Sequence, residues 1–157
     1  MAADYARITL LKNVTLTGDV TVEGGVFDLD MMGKTIDAGK YELIIEGGKI
    51  QMEDGTINGK DKGTLRVEGG ELTIWRDMTL YNDAYESGLV GTLIVDGGTA
   101  ILDGGTITSN ANAPAVYVES GSFILRSGTA KHVKGGYALM VRTGEATLTG
   151  GTLSSAE

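Results

Sequence analysis

A Gly-Gly pair recurs along this chain at almost constant spacing, and no other feature limits the fold as tightly. Aligned on the second residue of each pair, the anchors fall at Gly25, Gly48, Gly70, Gly98, Gly121 and Gly144, with Ser120 and Thr143 replacing the first Gly in the last two. The spacings are 23, 22, 28, 23 and 23 residues. Five and three positions before the anchors stand Val20/Val22, Leu43/Ile45, Leu65/Val67, Leu93/Val95, Val116/Val118 and Leu139/Val141. Two and four positions after them stand Phe27/Leu29, Ile50/Met52, Leu72/Ile74, Ala100/Leu102, Phe123/Leu125 and Ala146/Leu148. A Gly-Thr-Ile motif or a variant follows at Gly55–Ile57, Gly105–Ile107, Gly128–Ala130 and Gly151–Leu153.

Alternation with period 2 places these apolar residues on one face of short strands. Gly-Gly between two such strands permits a sharp corner at positive φ. One rung of two or three strands cannot bury its inward face, whereas stacked parallel rungs about 4.8 Å apart can. The pattern therefore predicts an all-β chain: a right-handed parallel β-helix (a β-solenoid) of about six rungs of 22–23 residues, roughly 30 Å long. A left-handed solenoid would show hexapeptide periodicity, and a β-propeller needs about 40–45 residues per blade. Frequent Gly and β-branched residues disfavour helices. The organisation read from the repeats is one domain over 1–157, with an entry strand and N-terminal rung at 1–19, repeats over 20–153 and a tail at 154–157.

Composition narrows the function classes. A net charge of −8 argues against nucleic acid and anionic membrane surfaces, which call for clustered Lys and Arg. No apolar run approaches the roughly 18 residues of a membrane-inserted span, and the N-terminus does not read as a signal peptide. With no Cys, disulfides and thiolate metal sites are excluded.

Several stretches imitate active sites. Asp28-Leu-Asp-Met-Met-Gly33-Lys34-Thr35 approaches a phosphate-binding loop, but Asp28 replaces the first Gly and no helix pattern follows. Gly-Gly-Thr-Ala-Ile-Leu-Asp103 lacks the third Gly and the Asp register of calcium-binding nonapeptides. His132, the single histidine, lies between Lys131 and Lys134 and cannot alone supply a zinc site; it is expected in a solvated turn. No cofactor or metal site is expected. Two positions before the anchors stand Glu23, Glu46, Glu68, Asp96, Glu119 and Arg142. Stacked, these form an outward acidic column whose members raise one another's pKa. An acid at every rung reads as a solubilising edge, because a catalytic pair would be an exception to the repeat.

Departures from a repeat are where solenoids carry function. The largest is Trp75–Gly91, within the 28-residue spacing, which holds the single Trp with Tyr81, Asp83, Tyr85 and Glu86. Trp75 occupies an outward register filled elsewhere by Asp30, Glu53, Asp103, Arg126 and Thr149. An exposed Trp75 flanked by Glu53 and Asp103 is a candidate sugar platform, with an apolar ring face beside hydroxyl-accepting carboxylates. The alternative is that Trp75 packs down the 81–91 loop. A second outward row, Thr21, Ile44, Arg66, Ile94, Tyr117 and Met140, offers a partner stripe at its apolar end unless turns cover it. Asn58–Gly63 and Ser109–Pro114 read as ordinary polar turns.

These repeats resemble the Gly-Gly-x-Leu-Thr-Leu-x-Gly-Gly-Thr-Ile segments of large bacterial cell-surface proteins with right-handed, pectate-lyase-like β-helices. Ile8-Thr-Leu-Leu-Lys-Asn-Val-Thr-Leu16 resembles the segment that opens such regions, and Phe27-Asp-Leu-Asp-Met-Met-Gly-Lys-Thr-Ile36 resembles one of their rungs. The resemblance implies an extracellular, adhesin-like or glycan-associated module within a larger exported protein, and it carries over no catalytic residue. Three functions are expected to compete: a non-catalytic structural module binding glycan or a surface protein, a polysaccharide lyase or glycoside hydrolase, and a scaffold without a ligand. The last strand is followed only by Ser154–Glu157 with no amphipathic cap, so the expectation is either that neighbouring domains of a larger protein cap this end or that it pairs end-to-end with another copy.

Overall fold

A computed structural model describes residues 5–83 and 91–156. Its strands are β1 (Ala6–Thr9), β2 (Val14–Thr15), β3 (Val20–Val22), β4 (Val26–Gly39), β5 (Leu43–Ile45), β6 (Lys49–Gly59) and β7 (Leu65–Val67), followed by β8 (Glu71–Ile74), β9 (Met78–Asn82), β10 (Leu93–Ser109), β11 (Val116–His132), β12 (Leu139–Val141), β13 (Glu145–Leu148) and β14 (Thr152–Ser155). Every pairing is parallel and joins one rung to the next. The chain is a parallel β-solenoid of about six turns.

Three strand columns make up its faces. The first contains β3, β5 and β7, then 93–95 of β10, 116–118 of β11, and β12. The second runs from β1 through 26–30 and 49–53 to β8, 99–102, 122–125 and β13. The third contains β2, 34–37, 55–59, β9, 106–109, 129–132 and β14. Register shifts within β4, β10 and β11 mark the corners where one long strand passes between faces.

The alternating apolar residues do point inward. Ile45, Val67, Val95 and Val118 line the first face, and Ile50, Leu72, Leu102 and Phe123 the second. Ile57, Leu80, Ile107 and Ala130 form the third ladder, and all of these are buried in one core. The entry segment already belongs to the stack, since Ile8 pairs with Leu29 and Val14 with Ile36. At the outermost described rungs the inward aliphatics Ile8, Val141 and Leu148 stay about half-exposed.

The outer surface departs from expectation on the first face. Ile94 and Tyr117 are only 2% and 3% exposed, so they form no partner stripe; Met140 is half-buried. The two excursions that read as polar turns lie against the solenoid. Gly63 lies directly against the Ile94 side chain, and Gly91 against Tyr117. Thr64, Ala111, Ala113 and Ala115 are buried with them. Beneath this cover Glu42 is 5% exposed and accepts from Arg66 at 3.4 Å. Arg66 also approaches Glu68 and Asp96 at 3.9 Å, so one guanidinium offsets three acids.

The acidic column is therefore less repulsive than its sequence suggests. At its far end Glu119 accepts from Tyr117 Oη and from Arg142. These hydrogen bonds, Tyr117's first, hold the Glu119 carboxyl below its ordinary range, the reverse of the rise expected from a bare column. The same bond and burial push the Tyr117 phenol up.

Candidate functional site

The second face carries the candidate site. Because Leu72 and Ile74 point inward, Glu71, Thr73 and Trp75 point out. Register places Gln51 beside Thr73, and Thr73 beside Ile101. The result is a groove of about 410 Å³ with Gln51, Thr73 and Ile101 along its floor. Trp75, Asp103 and Arg126 line it at the second corner, and Tyr5, Lys49 and Glu71 line it toward the first. Trp75 is half-buried, with the Arg76 guanidinium 4.3 Å from its ring centroid in a cation–π contact.

Most charges of the groove are already paired. Lys49 Nζ lies 3.0 Å from Glu71, whose hydrogen bond raises the Lys49 pKa. Asp103 accepts from Ser127 Oγ at 2.9 Å and lies 3.9 Å from Arg126. What remains for a ligand is a flat floor, two aromatic residues and the free edges of these pairs.

Glu53 differs from its expected place. It is 3% exposed and accepts from Arg76 Nε at 3.0 Å and from Arg7 at 3.4 Å. Its charge fixes Arg76 against Trp75 and is not open to solvent. Arg7 also bonds Asp30 and lies 3.5 Å from Asp28. Burial, then the Glu53 charge, raises the Asp28 pKa. The Met32 backbone N–H, then Arg7, lowers that of Asp30. Two carboxyls pushed apart suggest an acid–base pair, yet Arg7 occupies the face such a pair would present to substrate.

The remaining candidates lie elsewhere. Tyr81 and Asp83 border a different groove, on the third face, with Asp37, Asn58, Gly59 and Lys60. Tyr85 and Glu86 lie outside the described residues. The supposed insertion is also shorter than the sequence implied. β9 keeps full register with β6 and β10, so Trp75 and Tyr81 belong to a regular rung and the extra residues fall at 83–91.

His132 is a correction of another kind. It is 3% exposed, not solvated, and its Nδ1 accepts the backbone N–H of Lys134 at 3.1 Å and of Gly136 at 2.8 Å. Nδ1 is thus the ring's acceptor, and Nε2 is buried without a hydrogen-bond partner among the described residues. Asn82, Ser109 and His132 take the same inward place at the end of the third face. Ser109 Oγ likewise donates to Ala113 O at 2.7 Å. At Ser109 and His132 the polar side chain at the strand end bonds the turn that follows, whereas Asn82 Nδ2 donates to Lys62 O and Thr64 Oγ1 of the excursion one rung earlier. His132→Ala is expected to cost about 1–3 kcal/mol, and hydrogen exchange should quicken at 133–136 before the rest of the solenoid. Unchanged exchange there would refute this role.

Among the described residues no group of three or more His, Cys, Asp or Glu could hold a metal ion. No family model, curated protein or solved structure matches this chain.

Proposed function

We propose that this chain is a non-catalytic β-solenoid module that binds saccharide along its second face, as part of an exported bacterial surface protein. The observation that carries the reading is Trp75, half-buried at the mouth of an open groove and held by Arg76, which is itself fixed by buried Glu53. A fixed aromatic ring gives an apolar surface for a sugar face at low entropic cost. Gln51, Thr73 and Asp103 add hydrogen-bonding groups on neighbouring rungs. The surface location rests on the resemblance of the repeats alone.

A glycan array probed with the native chain and with Trp75→Ala tests the reading. Native binding is expected, with affinity falling at least about tenfold in the variant, or about 1.4 kcal/mol, at an unchanged melting temperature. Silence across the array would leave a scaffold without a ligand. Release of new reducing ends or unsaturated sugars from a bound polysaccharide would replace binding with catalysis.

A further inference from the structure

The third face has its own groove, remote in character from the first. Asp37, Asn58 and Tyr81 stand in register on β4, β6 and β9. Ile36, Ile57 and Leu80 beside them point into the core, so this column points outward. With Gly59, Lys60 and Asp83 it encloses about 220 Å³.

Two of its side chains are fixed in place. Asp37 Oδ1 accepts from the Gly39 N–H at 3.1 Å, and Asp83 Oδ1 accepts from Asn110 Nδ2 at 2.6 Å. Each carboxylate keeps its other oxygen unused among the described residues. The Asn58 amide, the Lys60 ammonium and the Tyr81 hydroxyl likewise make no side-chain hydrogen bond or ion pair there. The second-face groove spends its charges on internal pairs; this one retains both donors and acceptors beside an aromatic wall.

We propose that the Tyr81 groove is a second binding site, taking a short neutral saccharide. Tyr81 offers an apolar ring for a sugar face, while the free carboxylate oxygens and the Asn58 amide accept from hydroxyls. Hydrogen bonds to ionised acceptors are the stronger kind. Charge selects the class: Asp37 and Asp83 against Lys60 leave a net −1 around the groove, which disfavours uronates and phosphorylated sugars. Two acids without a third fall short of a metal site. The proposal shares its ligand class with the second-face reading but uses none of the same residues, so each stands or falls separately.

The test is an NMR titration of the isotope-labelled chain with maltohexaose, cellohexaose and mannohexaose. One of these is expected to shift amide signals near 37, 58, 60 and 81, apart from any change near 73–75 and 101–103. Tyr81→Ala should weaken the first set at least tenfold and leave the second set unmoved, and Asn58→Ala should weaken it in the same sense. Native-like spectra of the two variants guard against misfolding. Shifts confined to the Trp75 groove would overturn the second site and spare the second-face reading. An absence of shifts at either groove with all three sugars overturns both. Tighter binding of a uronate hexamer than of the neutral sugars near Tyr81 overturns the ligand class.

Discussion

Truncating Phe123 to alanine is expected to lower the unfolding free energy by about 3–5 kcal/mol, a large loss for one side chain. Phe123 is fully buried, and its partners on the rungs either side are Ala100 and Ala146. The ring therefore fills space that two small neighbours leave open, and the ladder matches volume across rungs, not within each rung. Phe123→Ala would set three alanines in succession, a void that parallel backbones about 4.8 Å apart cannot close by side-chain motion alone. Urea denaturation should show a lower midpoint at an unchanged slope. A loss below about 1.5 kcal/mol, the range of a well-tolerated volume change, would mean that the rungs collapse onto the gap.

A second large effect is expected at the Gly-Gly corner. Gly70 has φ +67°, and a Cβ there would lie 2.5 Å from Gly48 O and 2.6 Å from Gly47 C. The same Gly48 carbonyl accepts from the Glu71 N–H at 2.9 Å, so the clash falls on a bond that joins two rungs. Gly70→Ala combines a left-handed backbone cost with displacement of a neighbouring main chain, together more than about 3 kcal/mol. Gly33 is the matched control, with φ +70° and open space around its Cβ position. Gly33→Ala should cost only the conformational part, about 1–2 kcal/mol. Paired thermal melts measure the difference, and equal losses would show that rung contact contributes nothing at the corner.

How far the sequence could be read follows from which of its patterns repeat. Leu65, Val67, Leu72 and Ile74 were legible as core because period 2 and the rung period agree at those positions. Parity also makes the inward place of His132 legible: it lies two residues after inward Ala130, as Ser109 does after Ile107. Outward positions were not readable in the same way. Parity puts Ile94 and Tyr117 outside the strands, but the cover comes from Gly63, Gly91 and the buried alanines of 111–115, which no period announces. The burial of Glu53 is hidden in the sequence for a similar reason, since Arg7 reaches it from 46 residues away. Trp75 and Tyr81 looked like one site because the corner between them is not marked by glycine. Asp77 takes φ 56° there, as Asp54 takes φ 53° one rung earlier, and Asp is among the residues that tolerate this region.

The rung-to-rung register has a consequence for how the chain reaches this shape. Most main-chain partners in the ladders lie one rung apart along the sequence, so each new strand is recruited from a short stretch already tethered beside its template. The entropic penalty for closing that stretch grows only with the logarithm of its length, and it is nearly the same at each step. Growth by successive templating, strand upon strand, needs no pairing between distant ends of the polypeptide, unlike the non-local closures that slow most all-β folds. The 28-residue interval between Gly70 and Gly98 is the one longer step, and there the growing stack must wait longest for its next strand.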